Sequence, residues 1–204
     1  GRNLGYAAGN NLGIAHLLDQ DVDYVLILNP DARVGPDTVA GLIAASERVP
    51  DAGMIGPRLL HGNSESIQSD GCVIDWERAG ATSHINAGGS ARPTSAETAV
   101  VDYVTGACVL APRRLFEDAG LLPEDYFLYF EETHFAVTAR RRGWLSVVDR
   151  SVIARHHRRS TGAVPSRAYL YYLTRNRGIF AARFVPGERA VDEAYADLQQ
   201  GFLK

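Results

Sequence analysis

The fold class can be inferred from one stretch of the chain, Tyr24-Val25-Leu26-Ile27-Leu28-Asn29-Pro30-Asp31. Its first five residues form a continuous apolar run, which is typical of a β-strand buried on both faces. The three residues that follow favour a turn and end the strand. A helical pattern over residues 36–49 and the short apolar segment Met54-Ile55 come next, at the spacing of a strand–helix–strand unit. The sequence therefore predicts an α/β fold with a mostly parallel central sheet flanked by helices.

Similar elements are predicted on both sides of this unit. A helix of small residues precedes it at 7–18, and residues 61–99, rich in glycine and serine, are predicted to form a loop or hairpin excursion around one short strand at 72–76. No linker is long enough to divide the chain. Further strands are predicted at 100–104, 107–110 and 145–148, and further helices at 113–119, 132–142, 166–184 and 188–203.

Length and composition indicate one ordinary folded domain. The 204 residues are 46% hydrophobic and 22% charged, which is enough to build a core. The formal net charge of −3 argues against a general nucleic-acid binder. Cys72 and Cys108 fit neither a zinc-binding spacing nor a disulfide framework, so a reduced, cytoplasmic setting is expected. No apolar run reaches the roughly 20 residues of a membrane span.

The charge is distributed unevenly along the chain. Residues 140–183, here called the basic segment, carry eleven arginines and one acidic residue, Asp149, whereas residues 1–139 are strongly acidic. The segment also contains the aromatic-rich helix predicted at 166–184. Basic and aromatic side chains together favour an anionic interfacial partner: a membrane surface, a lipid diphosphate or a polyanion. The alternative is a solvated charged face whose aromatic residues pack into the core.

Asp31 is the first candidate for chemistry. It follows directly after the predicted buried strand, and ligands of α/β sheets bind outside the carboxyl ends of the strands. A carboxylate there could hold a divalent cation that neutralises a diphosphate. The alternative is a plain turn, because asparagine, proline and aspartate are all turn residues.

Glu131 and Glu132 are the second candidates. They end the aromatic run Tyr126-Phe127-Leu128-Tyr129-Phe130 and open a predicted helix. Apolar surroundings would raise the pKa of a carboxyl toward that of a general base. The alternative is an ordinary helix start, where acidic residues interact favourably with the helix dipole.

His156 is the third candidate. It alternates with Val152 and Ala154 in a pattern that predicts a strand delivering the imidazole to a sheet edge. Histidine there could bind a metal, and the arginines that follow could bind phosphate. A solvated basic loop is the equally simple alternative.

Together these elements resemble the family-two inverting glycosyltransferases, in particular the bacterial rhamnosyltransferase-like branch. Each motif is weak alone, but they occur in family order over nearly the whole chain. The matching motifs are Asn3-Leu4-Gly5-Tyr6-Ala7-Ala8-Gly9-Asn10-Asn11-Leu12-Gly13, Leu28-Asn29-Pro30-Asp31, Asp102-Tyr103-Val104-Thr105-Gly106-Ala107-Cys108, Phe127-Leu128-Tyr129-Phe130-Glu131-Glu132 and the strand that ends at His156.

The resemblance implies a GT-A fold and transfer of a hexose or deoxyhexose, rhamnose-like, from a nucleotide-diphosphate sugar to a glycan or lipid-linked acceptor. It implies Asp31 and His156 as ligands of a divalent cation, Mn²⁺ or Mg²⁺, and Glu132 as the catalytic base, next to Glu131. The implied partners are these two substrates, with peripheral contact at the inner face of a membrane through the basic segment, and no nucleic acid. The implied donor- and acceptor-binding residues are Asn3, Asn29, Thr105, Gly106, Ala107, Arg159 and Ser160.

The sequence departs from the family pattern in two places. The family usually has Glu-Asp-x-Asp where this chain has Glu131-Glu132-Thr133-His134, and roughly the first 50 residues of such a domain are expected to be absent. We therefore expect a partial GT-A domain over 1–164 and a helical extension packed on it over 165–204. An exposed sheet edge would also favour a homodimer. The alternative function is a degenerate GT-A module that binds nucleotide, glycan or partner without turnover.

Overall fold

Helices cover both faces of a mixed β-sheet in the computed structural model, which describes residues 1–92, 98–157 and 166–202. The helices are α1 (Tyr6–Leu18), α2 (Thr38–Arg48), α3 (Arg113–Ala119), α4 (Glu131–Arg140), α5 (Arg167–Phe184) and α6 (Ala190–Phe202), with one 3₁₀ turn at Glu124–Tyr126. The strands are β1 (Tyr24–Leu28), β2 (Ala32–Val34), β3 (Ala52–His61), β4 (Ile67–Ser69), β5 (Cys72–Asp75), β6 (Ala81–His84), β7 (Thr98–Val101), β8 (Cys108–Pro112) and β9 (Leu145–His156).

The main sheet has the order β1-β8-β3-β9-β2, with β4 paired to β3 and β7 paired to β9. This confirms the α/β class, but the expected mostly parallel sheet is wrong. Only the β3–β9 pair is parallel among the described strands, and the other pairs are antiparallel. The continuous apolar run reflects packing on both faces of β1, which is an antiparallel edge strand: Val25 and Ile27 belong to one apolar cluster, and Leu26 packs against the other.

The predicted strand–helix–strand unit is present with one strand inserted. Since β1 and β3 are both antiparallel to β8, they run in the same direction, and β8 lies between them. The chain reaches β8 only after the excursion through residues 61–99, in which β5 and β6 form a separate hairpin. The pairing of β8 with β1 and β3 joins segments far apart in sequence, so the local sequence pattern does not predict it.

Alternating residues of β1 and β8 face different helices. Val25, Ile27 and Val109 pack in one apolar cluster with side chains of α1, α3, α4 and α5. Leu110, the residue after Val109 in β8, lies on the other face in a second apolar cluster with Leu42 of α2. Helix α5 contributes Phe180 to the first cluster. The proposed boundary between residues 164 and 165 lies outside the described residues.

Strands β3 and β9 extend well beyond the short segments predicted at 54–55 and 145–148. Both strands carry charged residues, which hide the apolar pattern. Arg58 of β3 is buried and forms a two-bond ion pair with the fully buried Asp70, at 2.7 and 2.8 Å. Asp149 of β9 is buried and pairs with Arg48 of α2. Pairing allows charged residues to occupy strand positions that an apolar pattern would not predict.

The Arg58–Asp70 pair fixes the excursion to the sheet. Burial alone would raise the pKa of Asp70, but hydrogen bonds from Arg58 and Asn86 outweigh it, and the pKa lies below its ordinary value. We expect Asp70→Ala to lower the free energy of unfolding by about 3–5 kcal/mol, because it leaves a buried guanidinium without its carboxylate. Urea denaturation at neutral pH measures this loss.

The matched control is Glu117→Ala, which breaks the exposed Arg113–Glu117 pair on α3 and should change the urea midpoint little. Because the folded-state pKa of Asp70 is lowered, its contribution is present above the unfolded-state pKa and disappears as the pH falls through the folded-state pKa. Equal losses of unfolding free energy in the two variants would show that the buried pair stabilises the protein no more than the exposed pair does.

Candidate active site

A cleft of about 480 Å³ opens where β1 and β9 end, beside the loop that leads into α4. It collects described residues from eight separate parts of the chain. Most of the site residues predicted from the sequence line it: Asn29, Asp31, Thr105, Gly106, Ala107, Glu131, Glu132 and His156.

The described structure leaves one predicted residue, Asn3, out of this cleft. Asn3 is exposed and does not line the cleft; its Oδ1 accepts a hydrogen bond from the backbone N–H of Gly5 at 3.0 Å. Its role is therefore local, because it shapes the turn before α1. Arg159 and Ser160 lie outside the described residues.

Asp31 and His156 meet at one end of the cleft. Strand β2 pairs with β9 so that Ala32 lies opposite His156, and the N–H of His157 donates to the Asp31 carbonyl at 2.8 Å. This pairing places His156 Nε2 3.1 Å from Asp31 Oδ1. The imidazole is buried, whereas about half of the Asp31 side chain is exposed to the cleft.

Gln68 of β4 is a site residue that sequence reasoning missed. Its amide contacts the other imidazole nitrogen, with His156 Nδ1 at 3.0 Å from Nε2 and 3.2 Å from Oε1 of the glutamine. When Nδ1 donates to Oε1, the imidazole Nε2 keeps its lone pair for the cleft. Nothing near Gln68 in the sequence signals this contact, since it depends on the β3–β4 and β3–β9 pairings.

The segment Thr105-Gly106-Ala107 forms the floor between the two ends of the cleft. The Tyr6 hydroxyl donates to the Gly106 carbonyl at 2.6 Å, and the Gly106 N–H donates to Glu132 Oε1 at 3.4 Å. A Cβ at residue 106 would collide with the Tyr6 hydroxyl, so glycine is required there. Thr105 Oγ1 is buried and has no hydrogen-bond partner within the described part of the chain.

Glu131 and Glu132 lie at the first turn of α4, as predicted. Glu131 is 1% exposed, and its Oε1 has no hydrogen-bond partner among the described residues. Burial, reinforced by the charge of Glu132, raises the pKa of Glu131. Burial also raises the pKa of Glu132, against the opposing hydrogen bonds from backbone N–H groups. The pair therefore holds protons at higher pH than ordinary glutamates.

The aromatic run before α4 forms part of the wall. Leu128, Tyr129 and Phe130 line the cleft, whereas Tyr126 is fully buried behind it. The cleft also includes residues that the sequence did not single out: Tyr6, Gln68, Thr82, His84, Tyr103, Thr133, Tyr169 and Leu173. Tyr6 and Tyr103 lie within the quoted motifs, which was the available signal for them.

The basic segment does not line the cleft in the described part of the chain, apart from His156, Tyr169 and Leu173. Many of its arginines pair with acidic residues elsewhere. These ion pairs include Arg142–Asp118, Arg155–Glu65, Arg177–Asp197 and Arg183–Asp125. The uneven charge along the sequence is thus largely compensated within the molecule. Among the described helices, none combines the length and the apolar character that a membrane span requires.

Sequence comparison connects the chain with two curated glycosyltransferases. It is 29% identical over 184 residues to the N-acetylglucosaminyl-diphospho-decaprenol L-rhamnosyltransferase of Mycobacterium tuberculosis, covering 81% of this chain and 60% of that protein. It is 30% identical over 158 residues to the low-salt glycan biosynthesis hexosyltransferase Agl10 of Haloferax volcanii, covering 73% of this chain and 48% of that protein. The chain thus spans about half to three-fifths of these relatives. No protein-family model matches the sequence.

Structure comparison identifies the fold. The crystal structure of GalNAc-T7 with UDP, GalNAc and Mn²⁺ superposes with a TM-score of 0.62 over 85% of this chain and 35% of that one, at 16% sequence identity. At this identity the likeness concerns the fold. The sequence comparison confirms the resemblance to glycosyltransferases, and the structure comparison confirms the expected GT-A fold. By sequence the chain is a relative of rhamnosyl- and hexosyltransferases, and by fold it is a GT-A protein.

Proposed function

We propose that the chain transfers a hexose or deoxyhexose, rhamnose-like, from a nucleotide-diphosphate sugar to a hydroxyl of a glycan or lipid-linked acceptor, with inversion. One observation carries the proposal: a single cleft holds the Asp31–His156 pair and the Glu131–Glu132 pair. The first suits a cation that binds a diphosphate, and the second suits a base. The rhamnosyl- and hexosyltransferase relatives support the sugar class.

The Asp31–His156 pair fits a divalent cation. Its 3.1 Å separation is close to the distance of about 3 Å between adjacent ligands of an octahedral ion bound at about 2.1 Å. Carboxylate oxygen suits Mn²⁺, and a neutral imidazole nitrogen is a common metal ligand in proteins. No group of three acidic, histidine or cysteine ligands occurs among the described residues, so water and the donor diphosphate would complete the coordination. The ion would neutralise the charge of the departing nucleoside diphosphate.

Glu132 would act as the general base. Its side chain is partly exposed in the cleft, where the Gly106 N–H orients one carboxyl oxygen. The other carboxyl oxygen can then accept the proton of an acceptor hydroxyl while the oxygen of that hydroxyl attacks the anomeric carbon. The bond from that carbon to the diphosphate breaks on the opposite face, which inverts the configuration. The raised pKa makes this carboxylate a stronger base than an exposed glutamate.

Of the two departures within the family motif, Glu132 lines the cleft in place of the usual aspartate, and His134 lies away from this chemistry. His134 does not line the cleft; its Nδ1 lies 3.0 Å from the Tyr126 hydroxyl, and its ring packs against Phe184. Burial lowers the pKa of His134 to about 4, so the ring is neutral near pH 7. Histidine in place of the family's acidic residue at position 134 therefore affects the packing behind α4, and the two glutamates stay in the cleft. This favours turnover over the alternative of binding alone.

Binding of the donor diphosphate tests the cation site without requiring turnover. We expect Mn²⁺ and a nucleoside diphosphate together to raise Tm by about 5–10 °C at a ligand concentration near 100 times Kd, and each alone to raise it less. Asp31→Asn and His156→Ala should abolish the combined effect, because each removes one ligand. Differential scanning fluorimetry with thymidine, uridine and guanosine diphosphates measures it.

Asp51→Asn serves as the control, since Asp51 is an exposed carboxylate that does not line the cleft. It should respond to Mn²⁺ and nucleotide as the wild type does. An unchanged combined effect in Asp31→Asn would remove Asp31 from the cation site.

Glu132→Gln tests the base. We expect kcat to fall by about 10²–10⁴-fold with little change in KM for the donor, because the amide cannot accept the proton. The exposed Glu47→Gln on α2 is the matched control and should leave both constants unchanged. Release of nucleoside diphosphate with an acceptor present measures the rate.

The pH dependence of kcat tests the assignment of Glu132 as the base in a second way. The base works only when ionised, so a raised pKa of Glu132 moves the acid limb of kcat above the pH at which an ordinary glutamate titrates. Wild-type turnover with an acid limb at the ordinary value, or a Glu132→Gln variant as active as the wild type, would exclude Glu132. Nucleotide binding with no turnover would establish the binding-only alternative. Membrane contact and homodimer formation stay predictions of the sequence.

A further inference from the structure

Asn176 is a fully buried amide on α5 that the proposed chemistry does not use. Its Nδ2 donates to three backbone carbonyls, those of Tyr126 at 2.9 Å, Leu128 at 2.7 Å and Tyr129 at 2.9 Å. Because an amide nitrogen carries only two hydrogens, at least one of them is shared between two carbonyls. Its Oδ1 accepts from Arg175 Nη1 at 2.7 Å, so the orientation of the amide is itself fixed.

Two of these carbonyls, those of Leu128 and Tyr129, belong to a loop in an unfavourable conformation, and the Tyr126 carbonyl directly precedes it. Phe127, Tyr129 and Phe130 have φ values of +67°, +71° and +75°. Residues with bulky side chains rarely adopt such values. Each such residue costs about 1–3 kcal/mol, which contacts with the surrounding structure must offset. We call residues 127–130 the left-handed loop.

The opposite side of the left-handed loop is held by the start of the chain. The Tyr6 N–H donates to the Phe127 carbonyl at 2.8 Å. Gly5 has φ +87°, and a Cβ there would collide with Phe127. The loop is thus fixed between the N-terminal segment and α5, and Asn176 makes the larger number of hydrogen bonds to it.

The left-handed loop ends where the two glutamates begin. Phe130 precedes α4, and its carbonyl accepts the first helical hydrogen bond, from the N–H of His134 at 2.9 Å. The backbone of the loop therefore sets the direction in which α4 starts. Glu131 and Glu132 occupy the first turn, so a shift of the loop moves both carboxyl groups relative to the cleft.

We propose that Asn176 is a positioning residue for glycosyl transfer: its amide holds the left-handed loop so that α4 starts with Glu132 facing the reacting hydroxyl and Glu131 buried beside it. The inference rests on the proposed function. It assigns α5 a part in the chemistry beyond packing, although Asn176 lies 44 residues beyond Glu132 in the sequence and does not line the cleft.

Two substitutions separate hydrogen bonding from packing. Asn176→Ala removes the amide, whereas Asn176→Asp keeps its shape but places oxygens against the loop carbonyls. Arg175→Gln is a milder variant at a half-buried position, and it weakens the same contacts if the first two fold poorly. Asn11→Ala is the matched control. Asn11 is also a buried amide bonded to backbone, at Leu122, and it does not contact the left-handed loop.

The first readout is steady-state kinetics. We expect Asn176→Ala and Asn176→Asp to lower kcat by about 10²-fold while KM for the donor changes less than about threefold, because a misplacement of about 1 Å has effects of that size. Arg175→Gln should lower kcat in the same direction, and Asn11→Ala should leave kcat within about threefold of the wild type. Loss of kcat in Asn11→Ala equal to that in Asn176→Ala would reduce Asn176 to a structural role.

The second readout requires no turnover. NMR titration of ¹³C-labelled glutamate carboxyls should show the raised pKa values of Glu131 and Glu132 falling toward ordinary values in Asn176→Ala and staying raised in Asn11→Ala. Unchanged titration in Asn176→Ala would overturn the inference. If the wild type transfers no sugar, the proposed function fails, and the titration still decides whether Asn176 positions the glutamates.

Discussion

The left-handed loop at residues 127–130 is the constraint on which the candidate site depends. Three bulky residues there adopt backbone angles that they rarely populate, and they do so directly before the two glutamates. The loop persists because the N-terminal segment and α5 both supply hydrogen bonds to its carbonyls. Backbone strain held by the surrounding structure is a common property of sites in which groups must be placed in advance.

The cleft joins parts of the sheet and helices that meet only in the folded chain. Strand pairing brings His156 to Asp31, and a chain of hydrogen bonds from Tyr6 through the Gly106 peptide reaches Glu132. Strand pairing of the sheet positions the Asp31–His156 pair, for which we propose cation binding, whereas the left-handed loop and α4 position the two glutamates. The two halves of the proposed chemistry thus have separate supports. A change in one support should affect donor binding and proton removal differently.

Much of the fold was predictable because its signals are local. The run Tyr24–Leu28 and the helix Arg113–Ala119 match the structure in their bounds, and His156 lies at a strand end as predicted. The strand directions were not predictable, since β8 inserts between β1 and β3 after a long excursion. Gln68 and Asn176 were missed because each acts through contacts with residues distant in sequence. The ion pairs of the basic segment were missed for the same reason.

We propose that one cleft holds both a cation with its nucleotide diphosphate and the base that activates the acceptor. A crystal structure with Mn²⁺ and a nucleoside diphosphate, using anomalous scattering from manganese, tests it most directly. We predict an anomalous peak bonded to Asp31 and His156, with the diphosphate bound to the ion inside the cleft lined by Glu132. A peak elsewhere, or a diphosphate bound outside that cleft, would contradict the account.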